Sequence, residues 1–249
     1  MRQPGNHRVY VDEALQSGMQ LILPVEQSHY VNRVLRLKPA DALTLFNGKG
    51  GEYSAVIITV ARHGVAVRID AHGVPNVEAP LAVHLVQGVS RGERMDTVVQ
   101  KATELGLSRL TPVLTEFSVV RLNDAAKRDK RTAHWTKIAQ SACEQCGRTV
   151  PPVIDTPVKF DEWRQQLVQA EYRRIVLHPM AAAPLASLQP MTSRVMLLIG
   201  PEGGFSHNEI GEAEAAGFEA CSLGPRILRT ETAAIAAIAL LQARWGDLA

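Results

Sequence analysis

The chain has 249 residues, of which 46% are apolar and 21% charged, and its formal net charge is +2. This length suits two domains and this composition excludes a largely disordered chain, while the net charge is too small by itself to indicate nucleic acid. No apolar run approaches the roughly 20 residues of a membrane span, and the N-terminus lacks the apolar core of a signal peptide. Three cysteines fit a reduced, cytoplasmic compartment better than a disulfide framework.

The first part of the chain has short, alternating segments separated by turns. Alternating apolar stretches lie between residues 42 and 69, and the glycine-containing turns at 47–51 and 63–64 separate them. A segment with helical periodicity, residues 29–37, precedes them. Strands and glycine turns at this spacing predict a small β-barrel domain over residues 1–72.

Residues 71–80 have no periodicity and contain two prolines and a glycine, which predicts a boundary and a second domain over 73–249. Beyond it, short apolar runs alternate with segments of helical periodicity. This alternation predicts an α/β domain with a mostly parallel sheet. The predicted strands are 81–89, 174–177, 195–199 and 220–223, and the predicted helices include 95–105, 135–142 and 230–244.

Residues 199–206, with the sequence IGPEGGFS, join an apolar strand to a helix through a glycine-rich turn. Ser206 and Glu209 have the spacing of a capping box, so the helix is expected to begin there. Glycines allow the backbone to approach a ligand closely, and strand ends in open α/β sheets are common ligand sites. A tight connection without a ligand is the structural alternative.

A second turn of this kind, LGPRILRTETA, occupies residues 223–233. The helix that follows it is apolar on nearly all sides, which predicts burial or a subunit interface. Thr230 is expected to cap this helix, whose N-terminus offers free amides and partial positive charge beside Arg229. Alternatively, Arg229 pairs with Glu231 or Glu202.

Other signatures compete with a cofactor pocket. Cys143 and Cys146 have C-x-x-C spacing, but a structural zinc would need a second pair, so no metal is expected. Residues 88–92, GVSRG, match the G-x-S-x-G turn of serine hydrolases, with Ser90 as the nucleophile. The partners of Ser90 would be drawn from these residues: Asp155, Asp161, His178 and His207.

The two glycine turns together resemble the knot loops of the RsmE-type methyltransferases, which belong to the SPOUT class. The resemblance extends over nearly the whole chain. It includes HYVNRVLRL at 29–37 and LFNG at 45–48, which are similar to the family's PUA-like RNA-binding domain, and KATELG at 101–106 with EQCGR at 144–148. The sequence departs from the family pattern at Phe117, where arginine is usual.

The resemblance implies a C-terminal SPOUT domain with a trefoil knot, a homodimer, and methylation by S-adenosylmethionine of N3 of uracil 1498 in 16S rRNA of the small ribosomal subunit. It implies neither a membrane nor a metal. The cofactor contacts that it implies are Leu177, His178, Ile199, Gly200, Glu202, Gly203, Leu223, Gly224, Ile227, Leu228 and Arg229.

Uracil N3 is a poor nucleophile until it loses its proton, so catalysis requires stabilisation of an anionic base. Arg229 is expected to stabilise this anion, and Glu202 to accept the proton or to orient the donor. The side chains expected to bind RNA are Arg8, Arg33, Arg36, Arg91, Arg94, Lys101 and Arg148. The remaining alternative is an RNA-binding assembly factor in which the glycine turns are only structural.

Overall fold

The computed structural model describes residues 7–167, 172–189 and 193–248. The chain forms two compact units. The first contains the residues up to Glu78 together with Gln140–Pro151, and the second contains Ala79–Ala139 and Pro152–Ala249. A later stretch of the chain thus adds to the unit that the sequence limits to residues 1–72.

The first unit is built on a five-stranded sheet. Its strands are β1 (His7–Tyr10), β2 (Gln20–Ile22), β3 (Ala42–Phe46), β4 (Glu52–Ala61) and β5 (Gly64–Gly73). They lie in the order β1-β3-β4-β5-β2, and only β1 runs parallel to its neighbour. The helical segment predicted at 29–37 is a short helix, α1 (Val25–His29), continued by a π-helical turn at Tyr30–Val34. Alternate strand residues such as Leu43, Leu45 and Ile57 fill the core.

The second unit contains a parallel sheet. Its strands are β6 (Ala82–Gly88), β7 (Leu107–Leu114), β8 (Val153–Ile154), β9 (Val158–Lys159), β10 (Arg173–Leu177), β11 (Arg194–Ile199) and β12 (Glu219–Cys221). They lie in the order β12-β10-β11-β6-β7-β8, and β9 also pairs with β7. Near-continuous burial along β6 and β11 matches their mostly apolar sequences, as expected for strands covered on both faces.

Five longer helices complete the fold among the described residues. They are α2 (Arg94–Glu104), α3 (Ala125–Cys146), α4 (Phe160–Gln165), α5 (His207–Ala215) and α6 (Thr230–Trp245). The predicted capping box of α5 is present, because Ser206 and Glu209 bond each other's backbone amides. In α2, Met95, Val98 and Val99 lie one turn apart on one face and are buried in the core.

The prediction of a parallel α/β domain with a separate small β domain is therefore confirmed. Helix α6 is largely buried, as its apolar sequence predicts. Within the described ranges, no helix is both long and apolar enough to cross a membrane.

Candidate cofactor pocket and RNA surface

One cavity of about 580 Å³ lies at the carboxyl ends of β10, β11 and β12. Because β10 pairs with both other strands, the three strand ends are adjacent, and the two glycine turns leave from β11 and β12. The volume falls in the usual range for small-molecule sites. All the residues assigned to the cofactor by resemblance line it: Leu177, His178, Ile199, Gly200, Glu202, Gly203, Leu223, Gly224, Ile227, Leu228 and Arg229.

Backbone conformation explains the glycines of both turns. Gly204 has φ +71° and Gly224 has φ +90°, a region that side chains with a Cβ rarely adopt. The amide of Gly204 donates to the Pro201 carbonyl at 2.9 Å, which closes the first turn. The chain therefore reverses sharply beside the cavity and lines it partly with backbone.

A buried hydrogen-bond cluster joins the first turn to the start of α6. Thr230 donates its hydroxyl to the Gly200 carbonyl at 2.7 Å and accepts from Gln87 Nε2 at 2.9 Å. Thr230 is thus the first helical residue and a link between segments, while Arg229 holds the N-cap position. The prediction that Thr230 caps α6 is wrong, because its hydroxyl is engaged with another loop.

Gln87 is fully buried at the end of β6 and was missed by the sequence analysis. Its amide nitrogen also lies 3.2–3.5 Å from the carbonyl oxygens of Gly88, Ile199 and Gly200, which fixes the orientation of the amide. Its Oε1 is buried without a hydrogen-bond partner among the described residues. A glutamine within a predicted buried strand was the available signal, which it shared with His84.

Gly88 packs directly against the first turn. A Cβ at this position would lie 2.4 Å from both the Pro201 nitrogen and its Cδ. Ser90 is buried, and its hydroxyl has a long contact, 3.4 Å, with the Gly88 carbonyl. The G-x-S-x-G pattern therefore has a packing explanation. Asp155, one of the suggested triad members, is bound instead by Arg109 and Thr111.

Glu202 faces Arg94 across the cavity rim. It accepts a hydrogen bond from the Arg91 amide at 3.0 Å and forms an ion pair with the Arg94 guanidinium. Burial alone would raise the pKa of Glu202, but the hydrogen bonds from the Arg91 amide and its own amide, and the charge of Arg94, outweigh it and lower the pKa. A carboxylate with a lowered pKa is a weak proton acceptor. The surroundings of Glu202 therefore favour a role in orienting its partners over a role as a general base.

Arg229 is exposed at the cavity wall and forms no ion pair with the residues that the structure describes. The two carboxylates suggested as its partners are engaged by Arg94, which bonds Glu202 and has its Nε 4.0 Å from Glu231. Arg94 also lines the cavity, together with Arg226, and neither was assigned to it from the sequence. Arg229 therefore remains available to a ligand.

A second cavity of about 530 Å³ adjoins the first and shares Arg94, Arg229 and Glu231 with it. Arg91 lies on its other side and is exposed. Three guanidinium groups thus line this second cavity, and those of Arg94 and Arg229 line both cavities, an arrangement suited to phosphate oxygens.

Two of the arginines expected to bind RNA are buried in the first unit. Arg8 pairs with Glu52 and donates to the Arg148 carbonyl at 3.0 Å, while Arg148 Nε donates to Glu78 at 2.8 Å. Their side chains are only 6% and 8% exposed, so neither presents a guanidinium to a phosphate. This burial corrects the expectation for Arg8 and Arg148.

The other expected RNA contacts lie at the surface. Arg33 and Arg36 are exposed on the first unit, and Lys101 is partly exposed but paired with Glu104 at 2.8 Å. Of the C-x-x-C cysteines, Cys143 is buried. The hydrogen bond that its thiol donates to Cys146, together with burial, raises the pKa of Cys143 and disfavours its reactive thiolate.

Comparisons with known proteins agree with this arrangement. A family model described as an RNA methyltransferase domain matches residues 77–242, and one described as an RNA methyltransferase PUA domain matches residues 23–70. The chain is thus of the class of RNA methyltransferases in which the catalytic domain follows a PUA domain. Ribosomal RNA small subunit methyltransferase E of Buchnera aphidicola subsp. Schizaphis graminum is 38% identical, with 97% of each chain covered. The chain belongs to this methyltransferase E family.

Two solved structures are similar over almost their full length. A methyltransferase from Legionella pneumophila, in complex with the bound cofactor SAM, is 42% identical with a TM-score of 0.90, covering 98% of this chain and 99% of that one. Ribosomal RNA small subunit methyltransferase E from Neisseria gonorrhoeae, bound to S-adenosyl methionine, is 35% identical with a TM-score of 0.91, covering 98% and 100%.

Proposed function

We propose that this chain transfers a methyl group from S-adenosylmethionine to N3 of one uridine in 16S rRNA, the family's uracil 1498. The observation that carries the proposal is the cavity lined by both glycine turns, with Arg229 exposed where it meets a basic cleft. Family membership and the two similar structures solved with this cofactor support it.

The residues that line the pocket suit the chemical groups of S-adenosylmethionine. Leu177, Ile199 and Leu228 give it apolar walls, while the turns provide backbone groups that can bond an adenine edge. Glu202 and Arg94 place both signs of charge at its rim, as an amino acid moiety would require. When bound, the cofactor supplies a methyl group on a positively charged sulfur.

The chain's own residues have three tasks in this mechanism. The backbone turns hold the donor, and Arg229 with the first amides of α6 stabilises negative charge on the uracil once N3 has lost its proton. Glu202 holds Arg94 at the rim through their ion pair. The lowered pKa of Glu202 and its bonds to Arg94 and to the Arg91 amide disfavour proton uptake by its carboxylate. Glu202 is therefore proposed to orient Arg94 rather than to accept the N3 proton.

RNA is proposed to reach the site over Arg91, Arg94 and Arg229 of the second unit, and Arg33, Arg36 and Lys101 are the further proposed contacts. A base inside a paired stack would not reach a methyl donor held within the cavity, so an unstacked uridine is expected. If these cations bind phosphates, affinity falls steeply as salt rises, and each single Arg→Ala change reduces the salt slope by about 1. If the salt slope of RNA affinity stayed unchanged in every variant, the proposal that these residues bind RNA phosphates would be contradicted.

The family resemblance also underlies three further proposals: a trefoil knot near the C-terminus, a homodimer, and action in the cytoplasm. Ile235 and Leu240 of α6 are only partly buried in the single chain, which supports a second copy packing on this helix. Sedimentation equilibrium tests the dimer, and a monomer at micromolar concentration would contradict it.

The deciding experiment incubates the protein with methyl-labelled S-adenosylmethionine and either small ribosomal subunits or free 16S rRNA. Nucleoside mass spectrometry should find labelled N3-methyluridine, and the two substrates distinguish assembled subunit from free RNA. Cofactor binding without any methyl transfer to either substrate would favour a non-catalytic assembly factor.

A further inference from the structure

The loop after β7, residues 115–118 with the sequence TEFS, exposes an aromatic ring. Phe117 is 45% exposed, whereas Phe46, Phe160 and Phe218 are buried and Phe205 is partly buried. None of the ring–ring contacts among the described residues involves Phe117. The fold therefore gains little from this side chain, which leaves its aromatic face free for a ligand.

The loop that carries Phe117 is held firmly on both sides. The Ser118 hydroxyl accepts from the Thr115 amide at 3.0 Å, and the Ser118 amide donates to the Thr115 carbonyl at 3.1 Å. The Glu116 amide donates to Glu209 Oε1 at 2.8 Å, and Glu209 is the buried capping residue of α5. The ring thus projects from a fixed backbone, as a preorganised contact requires.

Phe117 lies directly beside the cofactor cavity. A Cβ on Gly203 would be 2.8 Å from Phe117 Cβ and 3.6 Å from its Cγ, so the side chain starts at the glycine turn itself. Gly203 lines the cavity. The phenyl ring does not itself line the cavity, but it packs beside the turn that is proposed to hold the methyl donor.

We propose that Phe117 is a stacking surface for an unpaired base of the RNA segment that carries the target uridine. The inference rests on the proposed function and extends it to base recognition. A flat apolar face beside this turn can stack a base whatever its identity, while the arginines proposed above to bind RNA neutralise the phosphates.

The test compares Phe117→Ala, Phe117→Leu and Phe117→Trp in the full-length protein. Loss of a base stack predicts that Phe117→Ala raises KM for the RNA substrate about tenfold, with kcat changed less than about twofold. Phe117→Trp should restore the KM, whereas Phe117→Leu, which is apolar but not flat, should not. Val119→Ala is the matched control, because Val119 is 51% exposed two residues away and should have no effect.

Three outcomes would overturn the stacking role. They are an unchanged KM in Phe117→Ala, full activity of Phe117→Leu, or a change in oligomeric state in Phe117→Ala, which would make the ring a subunit contact. RNA binding by fluorescence anisotropy and S-adenosylmethionine binding by calorimetry are measured on every variant. If the unmodified protein transferred no methyl group, the proposed function would fail, while the anisotropy series would still decide whether Phe117 stacks on RNA.

Discussion

Two buried arginines of the first unit and one exposed arginine of the second differ sharply in their surroundings. In the first unit, Arg8 and Arg148 are buried and their charges are matched by Glu52 and Glu78. In the second unit, Arg229 is exposed beside a cavity and forms no ion pair with any described residue. The difference shows that exposure and pairing, rather than residue type, separate an arginine that holds the fold from one available to a substrate.

The sharpest test of this contrast is Arg229→Ala. Removing a cation that stabilises developing negative charge is expected to lower kcat by at least about a hundredfold. Affinity for S-adenosylmethionine, measured by calorimetry, should change little, because the turns still hold the donor. Arg68→Ala is the control, since Arg68 is exposed on the first unit and should leave turnover unchanged. Near-normal kcat in Arg229→Ala would end the proposed role.

The opposite result is expected for Arg148→Met. Loss of the ion pair should lower the free energy of unfolding by about 2 kcal/mol, less than for a fully enclosed pair, since Glu78 is partly exposed and keeps bonds from the Thr149 and Val150 amides. Urea denaturation of the full chain measures this change. Arg33→Met, at an exposed site, should have no comparable effect. Equal stability of both variants would mean that the buried pair adds nothing.

A smaller effect is expected where the two segments of the pocket meet. Thr230→Val keeps the shape of the side chain but removes the hydroxyl that joins Gly200 to Gln87. Loss of these bonds should weaken S-adenosylmethionine binding about fivefold to tenfold, which corresponds to about 1 kcal/mol. Thr230→Ser retains the hydroxyl and should bind normally. If Thr230→Val also binds normally, the link does not shape the pocket.

Glu202→Gln is expected to leave the pH profile of turnover unchanged between about pH 6 and 9. The pKa of Glu202 is lowered from its ordinary value of 4.5, so the group is ionised throughout this range. Because the pKa of Glu202 is lowered, the stability that its ionised carboxylate adds to the fold is complete at any pH above the ordinary pKa. This stability is lost only as the pH falls through the lowered pKa. Loss of a limb of the kcat profile in this variant would instead identify Glu202 as the proton acceptor.

Local pattern accounts for much of what the sequence predicts correctly. Strands β6, β10 and β11 were located within about a residue or two because each is built on a short apolar run, as buried parallel strands usually are. Strand β7 was not predicted, because Ser108, Arg109 and Pro112 interrupt its apolar pattern. The capping box was read correctly because its two residues lie three apart and act on each other.

Long-range partners were not predictable in the same way. Arg8 and Arg148 look like surface cations until Glu52 and Glu78 are placed beside them, 44 and 70 residues away along the chain. Gln87 can bond the Gly200 carbonyl and the Thr230 hydroxyl only because the fold brings these distant residues together. The cavity lining was assigned by resemblance, and much of that lining is backbone, whose position a residue pattern alone does not specify.

The close packing of Gly88 against Pro201 limits how the pocket can be enlarged by design. Gly88 has no side chain that could be shortened behind Pro201, so this contact gives no room for a cofactor analogue with a bulkier transferable group. Enlargement would have to come from the rim, where Ile227 is 86% exposed and can be shortened at little structural cost. A bulky-cofactor variant of this enzyme is therefore best sought at Ile227.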